Sequence, residues 1–238
     1  MVAANKSDVC VILLAGGVGK RFGLAVPKLL ALINGRPLLA YSIETAITAP
    51  FVSEVIISCN ASIRAELEKI LDALRLELPK SNDTYVFDGG ATRAESVEIA
   101  LSHCTNRSVL IHDADRPVTT HELYARVFKA IRPGVGVMPV ISPADSVMHE
   151  DSEGRITGYI PRSEIMLVQT PQGFMTTEYR MAREMLHGRL DRFTDDGSVF
   201  LAGGYRVIMV PGERSNIKVT FPVDLHIAEA YMNELSEE

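Results

Sequence analysis

The segment from residue 11 to residue 28 constrains this chain most, because an apolar, strand-like run ends there in closely spaced glycines. Residues 11–15 are apolar, and three glycines follow between positions 16 and 19. Glycine lets the backbone turn tightly and brings its N–H groups close to a ligand, where they can bind phosphate oxygens. Arg21 and Lys28 follow in the same loop and supply positive charge. The segment therefore predicts a buried strand that leads into a polyphosphate-binding loop.

The sequence of this loop does not match either of two widespread phosphate-binding motifs. A P-loop ends in Gly-Lys-Ser/Thr, but Gly19-Lys20 is followed by Arg21, so the hydroxyl that would bind a metal ion is missing. The dinucleotide fingerprint needs a third glycine where Phe22 stands, and the next predicted strand leads to Asn60 rather than to an acidic residue. The remaining alternative is a glycine-rich turn without a binding function. The two cations Arg21 and Lys28 argue against this alternative.

Composition narrows the classes of protein to which the chain can belong. Its 238 residues carry a formal net charge of −6, which argues against a nucleic-acid-binding surface because such surfaces are basic. No apolar run approaches the length of a membrane span and the first residues are polar, so we expect a cytoplasmic protein without membrane association. Cys10, Cys59 and Cys104 are odd in number and far apart, so neither a disulfide framework nor a zinc site is indicated.

The chain alternates between strand-like and helix-like segments. Short apolar runs predict strands, and apolar residues at helical spacing predict helices. The predicted strands are residues 11–15, 55–58, 85–87, 108–111, 165–169 and 207–210, and the predicted helices are residues 36–47, 63–74, 94–101, 121–131, 177–186 and a last one from near Pro222. A turn is predicted at residues 170–174. The alternation predicts an α/β fold with a mainly parallel sheet, helices on both faces and ligands at the carboxyl ends of the strands.

Residues 145–149 and 154–160 break this alternation and predict a β-hairpin. We expect an arm at residues 143–163 that protrudes from a single domain covering residues 1–238. A protruding hairpin has exposed edges, and pairing with a second subunit protects them. A homodimer is therefore expected; a hairpin folded back on its own sheet is the alternative.

The charged and polar residues that follow the predicted strands are mostly cations and include no Ser-His-Asp or Cys-His set. Such a site suits attack by a phosphate on a nucleoside triphosphate, because a phosphate monoester is already largely a dianion at neutral pH. Catalysis then consists of positioning and of cationic stabilisation of the transition state. Asp113 is the candidate ligand for Mg²⁺, which takes one or two carboxylates plus substrate phosphates. A helix cap, or an ion pair with Arg116, is the alternative role for Asp113.

Six motifs follow one another along nearly the whole chain. They are the glycine loop with Arg21 and Pro27-Lys28, Asp-Gly-Gly at 88–90 with Arg93 and Ser96, His-Asp-Ala-x-Arg-Pro at 112–117, Thr-Pro-Gln at 170–172, Thr-Asp at 194–195, and Asn-Ile-Lys-Val-Thr at 216–220. In this order they resemble the 2-C-methyl-D-erythritol 4-phosphate cytidylyltransferases and the closely related D-ribitol-5-phosphate cytidylyltransferases. The glycine loop alone is shared by nucleotidyltransferases generally, whereas the later motifs together are specific.

The resemblance implies one Rossmann-like domain, a homodimer formed through the arm, and transfer of a cytidylyl group from CTP to a polyol phosphate with Mg²⁺ and release of pyrophosphate. It implies that Arg21 and Lys28 are catalytic, stabilising the reacting phosphorus and the departing pyrophosphate. Nucleotide contacts are expected at Ala15, Gly16, Gly17, Gly19, Gly90, Ser96, Asp113 and Ala114, with Asp113 also facing the metal. The acceptor phosphate is expected to bind Ser146, Arg162, Thr170, Thr194 and Lys218, the first two reaching across to the partner subunit.

The chain departs from this pattern at a few positions. Asp115 stands where the methylerythritol family commonly has Ala, so we expect an extra carboxylate there to raise the pKa of Asp113 or to recruit metal. Ser146 replaces a usual Thr and keeps the hydroxyl, and Ala91 removes a polar side chain beside the ribose. These departures concern affinity rather than the class of reaction.

Three functions remain open at this point. Methylerythritol phosphate is the preferred acceptor, as in an early step of isoprenoid-precursor synthesis. The ribitol phosphate enzyme is the close rival, because both acceptors are polyol phosphates that need the same cations. A nucleotide-binding regulator without catalytic activity is the third, and the joint presence of Arg21, Lys28, Asp113 and Lys218 argues against it.

Overall fold

The computed structural model describes residues 9–17, 19, 21–23, 26–78 and 82–237. Lys20, a basic residue of the predicted phosphate loop, lies outside them. Six strands and four helices make up the first part of the described chain: β1 Val9–Ala15, β2 Leu32–Ile33, β3 Arg36–Pro37, α1 Leu38–Thr48, β4 Glu54–Cys59, α2 Arg64–Glu77, β5 Asp83–Asp88, α3 Arg93–His103, β6 Ser108–Asp113 and α4 His121–Ala130.

The second part begins with a strand that the sequence analysis did not predict. Its elements are β7 Val135–Ile141, β8 Val147–Glu150, β9 Ile156–Ile160, β10 Leu167–Val168, β11 Gln172–Met175, α5 Thr176–Met185, α6 Asp196–Ala202, β12 Arg206–Pro211 and α7 Val223–Glu237. The tight β2–β3 pair precedes α1, so Pro37 ends a strand and caps the helix rather than lying in its first turn.

Within the described residues, eight strands form one mixed sheet in the order β10-β7-β11-β6-β1-β4-β5, with β12 also paired to β7. Strands β5, β4, β1 and β6 are parallel to one another, and β7 is parallel to β12. In this sheet, β10 and β11 pair antiparallel. The predicted mainly parallel α/β sheet is confirmed, and its parallel half brings the carboxyl ends of β5, β4, β1 and β6 to one edge.

The predicted turn at residues 170–174 is wrong in its second half, because residues 172–175 form strand β11 between β6 and β7. Its short Gln-Gly-Phe-Met sequence has no alternation of apolar and polar residues. Gly173 is required there: a Cβ at this position would lie 2.8 Å from side-chain atoms of Val127 and Ile131. Strand β7 was missed for a related reason, since it contains Gly136 and Pro139, which usually interrupt strands.

Helices cover both faces of the sheet, as predicted. One buried apolar cluster packs the sheet against α1, α2 and α4, and includes Leu39, Leu67 and Val127. The other packs the opposite face against α3, α5 and α6, and includes Val97 and Phe200. The central strand β1 is buried on both sides, which explains why its sequence is a continuous apolar run rather than an alternating one.

The predicted hairpin is formed by β8 and β9, which in the described chain pair only with each other. The alternative in which it folds back on its own sheet is therefore not observed. Met148, Ile156 and Tyr159 of the hairpin are 43%, 55% and 69% exposed. The arm thus presents large apolar side chains to solvent in a single chain.

None of the helices in the described residues combines the length and the apolar character that crossing a membrane requires.

Candidate active site at the carboxyl edge of the sheet

A central cavity of about 360 Å³ opens where β1, β4, β5 and β6 end. Strand ends, neighbouring loops and the first turn of α3 line it, with, among others, Gly16, Gly17, Lys28, Asn60, Gly90, Arg93, Ser96, Asp113, Asp115 and Lys218. A parallel sheet places ligands at this edge because the connecting loops converge there. Of the predicted nucleotide contacts, the structure thus gathers Gly16, Gly17, Gly90, Ser96 and Asp113 at one cavity.

The glycine loop lies along one side of this cavity. Gly16 approaches α3 so closely that a Cβ would lie 3.5 Å from Ser96 Oγ. Gly19 has φ +62°, a conformation that favours glycine, and its carbonyl accepts a hydrogen bond of 2.8 Å from the N–H of Phe22. Gly17, Gly19 and Lys28 also line an adjoining loop cavity of about 220 Å³. The two cavities together offer an extended groove beside the loop.

The Ser96 hydroxyl holds the second glycine turn in place. It accepts the N–H of Gly90 at 3.2 Å and donates to the carbonyl of Thr92 at 2.9 Å. A Cβ at Gly89 would lie 2.8 Å from the same oxygen, so the residue at that position has to be glycine. Ser96 therefore sets the shape of the turn that lines the cavity.

Asp113, the last residue of β6, is surrounded by cations. Lys218 Nζ donates to its Oδ2 at 2.8 Å, and Arg93 Nη2 lies 3.5 Å from its Oδ1. Burial disfavours the ionised carboxyl, but Arg93 and Lys218 outweigh burial and hold the pKa of Asp113 well below its usual range. The expectation that Asp115 raises this pKa is therefore wrong.

Asp115, the second carboxylate of the cavity, has its own counterion. Lys28 Nζ donates to Asp115 Oδ2 and, at 2.9 Å, to the carbonyl of Val219. The Lys28 and Asp115 side chains are only 10% and 12% exposed. Asp115 Oδ1 is buried without a hydrogen-bond partner, and Lys218 Nζ lies 3.9 Å from it. The predicted catalytic lysine is thus held by an acidic residue of the same cavity.

The segment that carries Lys218 is fixed from several sides. Asn216 is fully buried; its side chain donates to the carbonyl of Thr170 at 2.9 Å and accepts from Thr119 Oγ1 at 2.7 Å. Arg116 Nη1 donates to the Asn216 carbonyl at 2.7 Å. Within the described residues, the Arg116 side chain therefore contacts the backbone of Asn216 and forms no ion pair with Asp113.

A far cavity of about 200 Å³ lies behind Asp113 and is lined by Arg93, Asp113, Arg116, Gln169, Thr170, Thr194, Asp195 and Lys218, among others. Arg93, Asp113 and Lys218 line the central cavity as well. These three side chains therefore form a wall shared by two cavities. Thr170, Thr194 and Lys218, all predicted at the acceptor phosphate, lie together at the far cavity.

Thr170 is used mainly to hold the end of β6. Its Oγ1 accepts the N–H of Asp113 at 3.1 Å and lies 2.9 Å from His112 Nδ1. Complete burial lowers the pKa of His112 to about 3, so this imidazole is neutral near pH 7. His112 therefore serves as a hydrogen-bonding group under Asp113 and adds no charge to the site.

Five predicted site residues line none of the three cavities. Arg21 is exposed and makes no ion pair or hydrogen bond within the described residues. Ser146 and Arg162 lie exposed at the arm, where Arg162 Nη1 donates to the carbonyl of Ala144 at 3.0 Å. Ala15 and Ala114 are buried beneath the site and contribute backbone only.

A family model described as 2-C-methyl-D-erythritol 4-phosphate cytidylyltransferase (IspD) matches residues 9–234. The chain belongs to this family. A curated relative of that name from Frankia casuarinae is 34% identical over 227 residues, covering 94% of this chain and 81% of the relative. Another, from Phocaeicola vulgatus, is 34% identical over 221 residues, covering 92% of this chain and 97% of the relative. The crystal structure of the Thermus thermophilus enzyme matches 95% of this chain and 99% of its own, with a TM-score of 0.75 and 31% identity.

Membership in the cytidylyltransferase family confirms the resemblance that the ordered motifs indicated, together with the α/β fold and the class of enzyme. The family match begins at residue 9 and ends at residue 234, so it includes the arm as well as the sheet.

Arg93 was quoted in a motif of the cytidylyltransferase pattern but not predicted as a site residue. It begins α3 and bridges two carboxylates, with Nη2 2.6 Å from Asp196 Oδ2 and 3.5 Å from Asp113 Oδ1. Asp196 is 2% exposed and also accepts from the Tyr179 hydroxyl at 2.6 Å. The sequence could have indicated Arg93 as a site residue because it follows a glycine turn at a strand end. Its ion pair with Asp196 could not be predicted, because the two residues are 103 positions apart.

The carboxylates of this cytidylyltransferase site suit a hard divalent cation. Asp113 and Asp115 lie two residues apart at the end of β6, and both line the central cavity. The buried, unpartnered Oδ1 of Asp115 is an oxygen donor without a hydrogen-bond donor of its own. Oxygen ligands from one or two carboxylates are what Mg²⁺ takes when substrate phosphates supply the rest. The residues present therefore fit such an ion.

Asp113→Asn should make the free energy of unfolding less dependent on pH at acid pH. Because the folded state lowers the pKa of Asp113, its ionised form stabilises the fold above the unfolded pKa of about 4 and loses this effect as pH falls toward the folded value. In urea unfolding, the variant should be clearly less stable than the parent near neutral pH, and the gap should shrink below about pH 4.

The matched control is Asp72→Asn, an exposed aspartate of α2 whose side chain is 76% exposed. Its unfolding free energy should follow that of the parent at every pH. A gap between Asp113→Asn and the parent that stays constant from acid to neutral pH would contradict the proposed charge balance.

Proposed function

We propose that this chain transfers a cytidylyl group from CTP to 2-C-methyl-D-erythritol 4-phosphate and releases pyrophosphate. The observation that carries the proposal is the wall formed by Arg93, Asp113 and Lys218 between the central and far cavities. A transfer between two phosphates needs both bound side by side with cations between them. Family membership favours methylerythritol phosphate over ribitol phosphate as the acceptor, and catalysis over simple nucleotide binding.

CTP is assigned to the central and loop cavities. The base and ribose would lie at the end of the central cavity next to β1 and β5. There the turn around Gly90 and the loop at Gly16 and Gly17 expose backbone N–H and carbonyl groups. The triphosphate would follow the glycine loop past Gly19 toward Lys28. Backbone N–H groups and one lysine are the usual means of binding phosphates in such a loop.

Lys28 is prepared for transition-state stabilisation. Its ammonium group has three N–H donors, of which Asp115 and the Val219 carbonyl take two. One donor is left for a phosphate oxygen, and the side chain is already ordered before the nucleotide binds. Arg21 lies exposed at the loop, and we propose that it turns inward over the bound triphosphate.

The acceptor phosphate is assigned to the far cavity, where Thr194 and Lys218 lie beside Arg93. A phosphate monoester is largely dianionic at pH 7 and attacks the α-phosphorus without a general base. His112 is consistent with this, because burial lowers its pKa to about 3 and so makes its imidazole a weak base. The protein's task is to offset repulsion between two anions.

Mg²⁺ is the proposed cofactor, with Asp113 and Asp115 as the residues that would hold it. When bound, the ion would neutralise charge on the triphosphate and on the reacting phosphorus. Lys28 and Lys218 pair with these two carboxylates in this structure. The same lysines would then become available to phosphate oxygens.

The active enzyme is proposed to be a homodimer built through the arm at residues 143–163. The arm exposes Met148, Ile156 and Tyr159, and such apolar side chains gain stability when a partner covers them. Ser146 and Arg162 do not reach the far cavity of their own chain. We propose that they contact the acceptor phosphate in the partner subunit. The single domain of residues 1–238 and a cytoplasmic location are proposed as well, the latter supported by three free cysteines.

An acceptor assay tests the proposed reaction. Purified protein with CTP and Mg²⁺ should release pyrophosphate with 2-C-methyl-D-erythritol 4-phosphate, and much less with ribitol 5-phosphate. Equal or faster release with ribitol 5-phosphate would reject the proposed acceptor. Tight binding of CTP in calorimetry without pyrophosphate release from either acceptor would reject catalysis.

Lys28→Ala should lower kcat by about 10²- to 10³-fold, the scale for losing one preorganised electrostatic contact in the transition state. Steady-state pyrophosphate release measures this, with Lys69→Ala as control because Lys69 is 71% exposed on α2. An unchanged kcat in Lys28→Ala would remove this lysine from the mechanism.

Mixed dimers should reveal a shared site. Arg162→Ala chains keep an intact nucleotide site, whereas Lys28→Ala chains keep an intact arm. Mixing and re-equilibrating the two inactive proteins should restore part of the activity, since one mixed site combines both intact parts. Activity that stays at the level of the separate variants would place Arg162 and Lys28 in the same chain's site.

A further inference from the structure

A second cluster of chemically reactive side chains lies at the opposite edge of the sheet. Cys10 is the second residue of β1, and its register partner Glu54 is the first residue of β4. Cys104 directly follows α3, which runs back from the carboxyl edge of the sheet to the amino edge. The two sulfurs and a Glu54 carboxylate oxygen lie within 4.8 Å of one another. Three segments that are remote in sequence thus bring three ligand atoms together.

This cluster contains buried polar atoms that the fold leaves without partners. Cys10 and Cys104 are 0% exposed, and Glu54 Oε2 is buried with no hydrogen bond. Thr176, the first residue of α5, is 3% exposed, and its hydroxyl is unpartnered as well. A buried carboxylate oxygen without a donor is costly, and a bound cation is the partner that would relieve that cost.

We propose that Cys10, Cys104 and Glu54 bind one zinc ion, with the Thr176 hydroxyl or a water molecule as the fourth ligand. Thiolates select zinc over magnesium or calcium, which take oxygen ligands. Zinc–sulfur bonds of about 2.3 Å and zinc–oxygen bonds of about 2.0–2.2 Å put tetrahedral ligand atoms about 3.4–3.8 Å apart. The ligand atoms lie within 4.8 Å of one another, so each separation has to shrink by at most about 1.4 Å to reach this geometry.

The site is distinct from the cleft where the nucleotide is assigned, because it lies at the amino ends of β1 and β4. Binding would tie the end of α3 to two central strands, and the protons of the two thiols would pass to solvent. The spacing of the cysteines along the chain indicated no zinc motif, because the ligands are joined only by the sheet and by the return of α3.

The test uses the full-length reduced protein, freed of metal by a chelator and then titrated with Zn²⁺ in a calorimeter. One ion should bind per chain, and Co²⁺ added in place of Zn²⁺ should give the sulfur-to-cobalt charge-transfer absorption of thiolate ligands. The midpoint temperature of thermal unfolding should rise by about 5–10 °C when the free zinc concentration is one hundred times Kd. Absence of binding to the parent protein, or cobalt binding without thiolate absorption, would overturn the proposal.

Variants assign the ligands. Cys10→Ser and Cys104→Ser should each lower the thiolate absorption and weaken zinc binding by at least about tenfold, and Glu54→Gln should weaken binding by a similar factor. Cys59→Ser is the matched control, because Cys59 is equally buried but ends β4 at the opposite edge. Circular dichroism confirms that each variant is folded. Zinc affinity that is the same in Cys10→Ser, Cys104→Ser and the parent, or that is lost equally in Cys59→Ser, would refute the assignment.

Discussion

The arrangement of the cleft depends on the charge of one buried carboxylate, Asp113. An ionised group at the end of a central strand is stable there only if cations surround it, and Arg93 and Lys218 supply them from two different segments. Arg93 in turn links Asp113 to Asp196 at the start of α6. Removing this charge would leave two cations facing each other. The carboxylate therefore links α3, α6 and the segment before α7 at the site.

The same charges connect structure to the proposed chemistry. Before substrates bind, each lysine of the cleft is paired with a carboxylate, Lys28 with Asp115 and Lys218 with Asp113. In the proposed mechanism, phosphate oxygens would take the place of the carboxylates at these lysines, and a divalent cation would take the place of the lysines at the carboxylates. Charges that are already oriented need little reorganisation in the transition state, and this is the main source of electrostatic catalysis. Asp115 extends this pairing to Lys28, the predicted catalytic lysine.

Much of the fold could be read from local pattern, and what was missed has identifiable causes. The glycine loop, the alternation of strands and helices and the hairpin were predicted because apolar spacing and turn residues report on nearby backbone. Strands β7 and β11 were not, since Gly136 and Gly173 look like turn residues and are required instead by Phe174, Val127 and Ile131 packing against them. The pKa of Asp113 was predicted in the wrong direction because Arg93 and Lys218, the cations that lower it, come from segments remote in sequence.

By itself the sequence determined the class of fold, the phosphate-binding loop and the family, because these depend on residues close together or on motifs read in order. Only the tertiary structure decided which charges meet. Lys28 and Asp115 are 87 residues apart, and Lys218 and Asp113 are 105 apart. Cys10 and Cys104 likewise meet only because α3 returns to the start of β1. Such contacts follow from strand order and helix direction, which local spacing does not encode.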